Sequence, residues 1–328
     1  MKKIFYLYKS GVLKRKDNSV ILEGRLFDEY LPIEQLDMII VFSEVTLNKR
    51  VLALLNQYDV SVLFYNFYGD YIGRFSPKDH KEGKVLVKQV VAYQTQEMRL
   101  NIAKELTLGS MRNMQALIKY YRKKGKSLDR QLTALESCYA EAEAADRVEK
   151  LLLIEAKAKQ FYYAMFDVVL ESETFHFEKR SKHPPENEVN AMLSYGYSIL
   201  YGVVLSVLDR SSLHPQISFI HSQIKSPDAL KYDIADVFKP MLVDRLVLRI
   251  IRKKQVDSTC FSFKEKRCYL NKKGAALFAS EFDSTLQKTI LYGKRSYSYR
   301  SIISMEIHKI SEFIKGNTEQ LRMFTMKW

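Results

Sequence analysis

The feature that most constrains the fold is a change in side-chain spacing about a quarter of the way along the chain. Before it, short runs of β-branched and aromatic residues alternate with turn-forming pairs such as Ser10-Gly11, a pattern typical of strands. After the segment FSPKDHKEG at 75–83, apolar residues recur every three or four positions, as in helices. The sequence therefore predicts an α+β protein of two domains, a small mostly-β domain followed by a larger all-α domain.

The predicted domain limits follow this change. Residues 1–78 form the β domain, 79–85 a linker, and 86–328 the helical domain. One helix interrupts the strands at 47–59, with Thr46 as its N-cap. The other helices are predicted at roughly 84–124, 128–170, 187–208, 238–254, 274–290 and 300–315, with a β-like stretch at 258–271.

The charge balance points to a polyanionic partner. The chain has 52 Lys and Arg against 38 Asp and Glu, which gives a formal net charge of +14. Nucleic acid is the polyanion most often bound by such an excess, because each neutralised phosphate releases counterions. A merely basic surface, or binding to a membrane surface, stays open at this point.

Cysteine use and apolar run length favour a cytoplasmic protein. The cysteines Cys138, Cys260 and Cys268 are odd in number and lack metal-type spacing, as expected of reduced thiols. The N-terminus does not read as a secretory signal. No uninterrupted apolar run approaches the roughly 20 residues that span a bilayer. We therefore expect no membrane partner.

Glu155 places a carboxylate in an apolar helical stripe that includes Leu151 and Tyr162. A carboxylate in such a place is costly unless a cation or hydrogen-bond donors meet it. A divalent metal held by carboxylates and one imidazole is one answer, and it implies phosphodiester chemistry. An ion pair with Lys159, one helical turn further on, is the other.

The segment 213–240 carries further unusual polar residues. His221 follows an apolar run, and Asp233 and Asp236 are spaced i, i+3, so that both carboxylates share one helix face. Pro240 cannot donate the amide proton that would close on the carbonyl of Asp236, which predicts a bend or a helix restart. Together with the buried glutamate, these residues indicate a metal site.

Each of these residues also has an ordinary structural interpretation. A single His is most often a hydrogen-bonded structural residue. An i, i+3 Asp pair is commonly a solvated helix start, and a Glu in an apolar stripe is usually paired with Lys or Arg. The residues alone therefore leave open a non-catalytic basic DNA-binding scaffold. They also leave open a metal-dependent nuclease of an unrelated family.

A basic stretch near a predicted helix end is a candidate for phosphate contact. The run RIIRKK at 249–254 places Arg249, Arg252 and Lys253 on one side of the helix. The same charges would also complement the helix C-terminus. Contacts of this type hold a DNA backbone with little reading of bases.

Several stretches of the chain together resemble one family, the CRISPR-associated endonuclease and integrase of spacer acquisition. The resemblance covers nearly the whole length. The matching stretches are VSVLFYNFYGDYIGRFSPKD at 60–79, IEAKAKQFYYAMF at 154–166, PPENEVNAMLSYGYSILYG at 184–202, LHPQISFIHSQIKSPDALKYDIADVFKPMLVDRLV at 213–247 and RSYSYRSIISMEIHKI at 295–310.

The resemblance implies a metal-dependent DNA endonuclease and integrase. It makes Glu155, His221 and Asp236 both the metal ligands and the catalytic residues, with Asp233 as a supporting or second ligand. Coordination by carboxylates and one imidazole suits Mg²⁺ or Mn²⁺. Such a site can hydrolyse a phosphodiester with water, or join DNA when a 3′-hydroxyl is the nucleophile.

The resemblance also implies supporting residues and partners. Asn190 and Tyr162 would shape the site, and Lys239 stands before Pro240 where the family usually has Arg that contacts phosphate. The expected partners are double-stranded and branched DNA, a second copy of the chain in a homodimer, and a small second CRISPR adaptation protein. The β domain is the expected dimerisation surface.

Overall fold

The computed structural model describes residues 2–77, 80–221 and 227–327, and these form a mixed α/β protein. A β-rich region makes up the N-terminal part, and a mainly helical region follows it. The predicted change from strands to helices is confirmed in this form. The two-domain division with a linker at 79–85 stays a prediction: position 79 lies outside the described residues, and a helix already begins at Gly83.

Two sheets and a helix build the N-terminal region. The first sheet has the order β1-β5-β7-β8, in which β1, β5 and β7 are parallel and β8 is antiparallel to β7. The second has the order β4-β3-β2-β6. The elements are β1 (Lys3–Leu7), β2 (Gly11–Lys16), β3 (Ser19–Glu23), β4 (Asp28–Leu31), β5 (Leu36–Val41), β6 (Val45–Leu47), α1 (Lys49–Gln57), β7 (Ser61–Tyr65) and β8 (Tyr71–Phe75).

The predicted N-cap of α1 is wrong by two residues. Thr46 lies within β6 and pairs with Val12 of β2. Asn48 is the cap, and its side-chain oxygen accepts hydrogen bonds from the backbone N–H groups of Arg50 and Val51 at 3.0 and 3.2 Å. Thr46 joins the strand because β-branched residues favour strand pairing, whereas asparagine is a preferred N-cap residue.

The central strand β5 is buried on both faces. Ile39 and Val41 belong to the apolar core shared by the two sheets and α1. Met38 and Ile40 belong to the larger core formed with the helical part. Successive side chains of a strand point to opposite faces, so the run MIIV serves two cores at once. The first sheet therefore fixes the β-rich region to the helices.

The helical part follows the predicted spacing but is not all-α. Among the residues that the structure describes there, two β-hairpins interrupt the helices. One, formed by β9 and β10, matches the β-like stretch expected at 258–271. The elements of the helical part are α2 (Gly83–Gln94), α3 (Gln96–Arg122), α4 (Asp129–Glu143), α5 (Val148–Tyr163), α6 (Phe166–Leu170), α7 (Glu188–Asp209), α8 (Leu230–Lys239), α9 (Arg245–Arg252), β9 (Phe261–Lys264), β10 (Arg267–Leu270), α10 (Lys272–Gln287), β11 (Thr289–Tyr292), β12 (Arg295–Ser298) and α11 (Tyr299–Lys315).

The second hairpin, β11–β12, corrects the prediction of an all-α domain. Its two-residue turn begins with Gly293, which has φ of +64°. A positive φ at this position suits a hairpin turn and favours glycine. The flanking sequences TILY and RSYS are rich in β-branched and aromatic residues, which stabilise the strand pairing.

Helix α7 runs through the centre of the helical part. Its length and apolar composition would suit a membrane span, but 83% of that apolar window is buried inside the protein. Gly202 lets the helix approach the first sheet, because a Cβ there would lie 2.3 Å from the Tyr65 hydroxyl. Gly196 gives similar room to Val243 and Phe278. This helix is therefore a core element around which the other layers pack.

Candidate active site

Helix α8 carries Asp236 to the edge of the core and then changes geometry. Pro240 opens a π-helical turn, Pro240–Asp244, which leads into α9. The predicted irregularity at this proline is confirmed. The carbonyl of Asp236 accepts a hydrogen bond from Ser110 Oγ at 2.9 Å, and the carbonyl of Val237 accepts one from Asn113 Nδ2 at 2.8 Å. Side chains of α3 thus satisfy carbonyls that the broken helix leaves open.

Asp233 holds His221 in place. One of its carboxylate oxygens accepts hydrogen bonds from Ser218 Oγ and from the backbone N–H groups of Phe219 and Ile220. The other accepts from the backbone and from Nδ1 of His221, the latter at 2.7 Å. Because Nδ1 is engaged in this way, the remaining ring nitrogen Nε2 is the one available to a ligand. Asp233 thus holds the imidazole through hydrogen bonds, whereas its predicted role at a metal site stays a prediction.

Glu155 and Asp236 face each other across the ammonium group of Lys159. The Nζ atom lies 3.0 Å from Oε1 of Glu155 and 2.8 Å from Oδ2 of Asp236. Both carboxylate side chains are at least 92% buried, whereas Lys159 is 26% exposed. Lys239 forms an ion pair with the second oxygen of Asp236. Helices α5 and α8, which are distant in sequence, thus bring their acidic residues together.

These charges shift the titration of the neighbouring groups. Burial by itself opposes the charged form of Asp236, but Lys159 and Lys239 hold the pKa of its carboxyl well below the ordinary value. Burial also opposes protonation of His221, but the hydrogen bond and charge of Asp233, with further contributions from Asp236 and Glu155, raise the pKa of the imidazole. His221 and Asp236 line the same cavity, so the imidazole is on the side of the acids that faces this opening.

A cavity of about 670 Å³ opens beside this cluster. His221, Asp236 and both lysines that pair with Asp236 line it. Lys182 lines it as well. Partial loss of hydration and the nearby charges of Lys159, Lys239 and Arg180 lower the pKa of Lys182, so the cavity wall is electropositive. A cavity with cations and the carboxylate of Asp236 on its wall suits a phosphate group beside a metal ion.

The residues present fit a divalent ion in their chemistry. Two carboxylates and one imidazole nitrogen form a donor set for Mg²⁺ or Mn²⁺. Asp236 Oδ1 accepts no hydrogen bond within the described part of the chain, although the charge of Lys239 compensates it. Among residues 2–77, 80–221 and 227–327, no three acidic, His or Cys side chains converge closely enough to hold a metal as they stand. A lysine ammonium lies between the two acids.

Asn190 holds the segment that contains Arg180, which lines the cavity. The side chain of Asn190 accepts hydrogen bonds from Arg180 Nη1 and from the backbone N–H of Ser181, and it donates one to the carbonyl of Lys179. It therefore fixes the segment that precedes Lys182. These contacts do not test the supporting role predicted from the resemblance, but they give it a physical basis.

Tyr162 connects the two helices that carry the acids. Its hydroxyl donates a 2.7 Å hydrogen bond to Asp244 in the turn after α8. Tyr197 of α7 donates to the other oxygen of the same carboxylate at 2.5 Å. Asp244 was missed in the sequence analysis, because both of its partners come from distant elements. An acid within the apolar run PMLVDRLV is the signal that could have found it.

The basic candidates lie in different surroundings. Lys239 lines the cavity, and its ammonium lies 4.7 and 4.9 Å from the ring centroids of Tyr197 and Tyr201. Arg249 forms an ion pair with Glu281 at 2.8 Å, whereas Arg252 and Lys253 are exposed. Within the described residues, Lys239 is thus the one of the four basic candidates that contacts an acid of the site. Phosphate contact by the other three stays a prediction.

Comparison with known proteins places the chain in a family. The family model described as CRISPR associated protein Cas1 matches residues 5–284. CRISPR-associated endonuclease Cas1 2 of Thermodesulfovibrio yellowstonii is 34% identical over 331 residues, which cover 100% of both chains. The resemblance predicted from the sequence is therefore confirmed.

Solved structures give the same result for the fold. The structure of a Cas1 protein from Thermotoga maritima is similar with a TM-score of 0.86 and 35% identity, over 99% of this chain and 100% of that one. A casposase bound to integration product has the same TM-score at 19% identity, over 98% and 93% of the two chains. At that identity the likeness concerns the fold alone. The family model and the full-length relative together show that the chain belongs to the Cas1 family of CRISPR-associated proteins.

Proposed function

We propose that this protein is a metal-dependent DNA endonuclease and integrase of CRISPR adaptation, which cuts and joins phosphodiesters to insert new spacers into a repeat array. Endonuclease activity follows from the family, since full-length relatives are named CRISPR-associated endonucleases. The protein is a nuclease of that kind. The metal requirement, the assignment of ligands and the joining reaction on this chain are the parts that we propose.

The observation that carries the proposal is that Glu155 and Asp236 share one cation, beside a cavity that Asp236 and His221 both line. Two buried carboxylates from different helices are each costly without a cation, and a divalent ion is a cation that both could bind. We assign Glu155 and Asp236 as carboxylate ligands and Nε2 of His221 as the third ligand. Asp233 then orients the imidazole.

A divalent ion bound there would polarise the scissile phosphate and stabilise charge on the leaving oxygen. The protein's own residues prepare the remaining steps. Lys239 and Lys182 attract phosphate oxygens to the cavity, and Arg180 adds a planar donor. The rings of Tyr197 and Tyr201 form part of the wall and exclude water from one side of the bound backbone. Water or a DNA 3′-hydroxyl serves as nucleophile.

The partners that we propose follow from charge and family. A net charge of +14 suits DNA, both double-stranded and branched, held through its backbone. The casposase that shares the fold was solved with an integration product, which supports integration as the joining reaction. We further propose a homodimer, a small second CRISPR adaptation protein as partner, and the cytoplasm as the place of action.

The test is a set of alanine variants assayed for cleavage and for strand transfer. Glu155→Ala, His221→Ala and Asp236→Ala should each abolish Mg²⁺- or Mn²⁺-dependent cleavage of branched DNA while most DNA binding remains. Lys157→Ala is the matched control, because Lys157 lies on the same helix and pairs with Glu141 at the surface. Circular dichroism of each variant establishes that the fold is intact. Wild-type activity in any of the three variants would refute the assignment of ligands.

Strand transfer separates the remaining alternatives. With the second adaptation protein present, the wild type should join a short duplex to a supercoiled plasmid that carries the repeat. Protein that is inert with both ions would favour a non-catalytic DNA-binding scaffold. Cleavage without any joining would favour a metal-dependent nuclease that does not integrate.

A further inference from the structure

We propose that the ammonium group of Lys159 is a resident counter-ion of the carboxylate pair, and that a divalent ion enters the site only by displacing it. The inference rests on the proposed function, because it takes Glu155 and Asp236 as metal ligands. It adds a role for a residue that is neither a ligand nor a nucleophile. Lys159 would lower the affinity for metal and keep the site assembled when metal is absent.

The geometry singles out Lys159 as the ion that bridges both acids. Its Nζ contacts Glu155 at 3.0 Å and Asp236 at 2.8 Å. It reaches the first from one turn further along the same helix and the second across the interface between α5 and α8. Without this ammonium, two buried negative charges would face each other, and Lys239 and His221 would remain to compensate Asp236. The two acids are thus organised around a cation that the chain itself supplies.

Lys239 is the weaker candidate for displacement. Its side chain is 14% exposed, compared with 26% for Lys159. Two tyrosine rings also hold its ammonium, through cation–π contacts at Tyr197 and Tyr201. Both lysines line the cavity, but Lys159 is the more exposed of the two and can withdraw into it. Of the two lysines, Lys159 is the one that can leave.

An ammonium and a divalent ion exclude each other between the same two oxygens. At contact distance in a poorly hydrated site, like charges repel strongly. The ion must therefore overcome an existing ion pair, which reduces its net gain on binding. Removal of the ammonium should accordingly tighten metal binding, although it also removes a native interaction.

The experiment measures Mn²⁺ binding to metal-free protein by titration calorimetry, without DNA and without an activity assay. Lys159→Met keeps the length and apolar character of the side chain but removes its charge. We expect its Kd for Mn²⁺ to fall at least about tenfold relative to the wild type. Lys159→Arg restores the charge and should return the Kd toward the wild-type value. Lys157→Met, which changes an exposed lysine paired with Glu141, should leave the Kd unchanged.

Thermal unfolding provides a second readout. Metal-free Lys159→Met should unfold at a lower temperature than the wild type, because the acids lose their counter-ion. Saturating Mn²⁺ should raise its Tm by more than it raises that of the wild type. If the Met variant fails to fold without metal, added Mn²⁺ should restore the fold, and Lys159→Gln then serves for the titration.

The outcomes distinguish this inference from the proposed function. If Lys159→Met binds Mn²⁺ no more tightly than the wild type, while Glu155→Ala loses binding, the counter-ion role is refuted and the metal site stands. If Glu155→Ala and Asp236→Ala both bind Mn²⁺ as the wild type does, the assignment of ligands fails, and the inference fails with it.

Discussion

Asp244 has a carboxyl group whose protonation is set by its surroundings. Burial raises its pKa from an ordinary value of 3.8 to about 6, although hydrogen bonds from Tyr197 and Tyr162 limit the rise. The folded protein therefore binds this proton more tightly than the unfolded chain does. The stabilisation is complete below the unfolded pKa and is lost as the pH rises through the folded value.

Replacement by asparagine should remove this pH dependence. Asp244→Asn keeps the shape of the side chain and cannot ionise. Its free energy of unfolding, relative to the wild type, should increase by about 2 kcal/mol between about pH 4.5 and pH 7.5, since one pKa unit corresponds to 1.36 kcal/mol. Urea unfolding of both proteins across this range is the measurement. A difference that does not vary with pH would show that the carboxyl is ionised throughout.

The residues of the site could be predicted only in part. Glu155 and its partner Lys159 were within reach of the sequence, because they lie one helical turn apart. That the same lysine also pairs with Asp236 could not be predicted, since that contact spans 77 positions and depends on how α5 packs against α8. The role of His221, Glu155 and Asp236 as ligands came from the family resemblance, and it stays a prediction.

At the level of elements, α7 depends on close contacts that only glycine permits. Gly202→Ala would place a Cβ 2.3 Å from the Tyr65 hydroxyl and 2.6 Å from Leu63 Cδ1, so the helix or the sheet must shift. We expect a loss of about 2 kcal/mol in the free energy of unfolding, as in other overpacked cores. Gly83→Ala is the control, because the Cβ would meet no described atom within 4 Å. Equal stability of the two variants in urea unfolding would contradict the packing argument.

The start of α1 gives a second prediction for an element. Asn48→Ala should destabilise the protein by about 1 kcal/mol, because two backbone N–H groups lose their acceptor. Thr46→Ala, at the position first expected to cap the helix, should cost less. Thermal unfolding of the two variants under identical conditions measures the difference. A greater loss from Thr46→Ala would return the cap to that residue.

Element types were predictable where the periodic pattern was long, as in α7 and β5. The pattern failed at β11–β12, where each strand has four residues. A run this short fits a strand or a helix end equally well. Gly293 with its following lysine was the available signal, but its meaning depends on the backbone angle that the fold imposes.

For the whole molecule, Arg74 is a principal link between the β-rich region and the helical part. Its guanidinium on β8 donates to both oxygens of Asp209 at the end of α7, at 2.7 and 3.0 Å, and to Asp228 at 2.9 Å. Both acids are about 90% buried or more. Removal of the arginine would leave two buried charges without this partner.

We therefore expect Arg74→Met to cost about 3 kcal/mol or more in the free energy of unfolding, as in other broken buried ion pairs. Lys14→Met is the control, because Lys14 and Glu23 form an exposed pair on one hairpin, and such pairs contribute about 1 kcal/mol or less. Guanidinium unfolding followed by circular dichroism provides both values. Similar losses in the two variants would show that the link carries little energy.

The overall order of strands and helices was predictable from the change in side-chain spacing. The way the two regions share a core was not. Met38 and Ile40 reach one core while Ile39 and Val41 reach another, and a continuous apolar run shows only that both faces are buried. Which layer covers each face is decided by contacts such as those of Tyr65 with α7.

The buried position of α7 has a consequence for biosynthesis. Its native cover includes Val243 and Phe278, which the ribosome adds after the helix is complete. At an elongation rate of roughly 5–20 residues per second, the apolar helix lacks its last packing partners for several seconds. During that interval the helix has the length and hydropathy of a membrane span without its full native cover, so we expect this stage of translation to be the one most prone to aggregation.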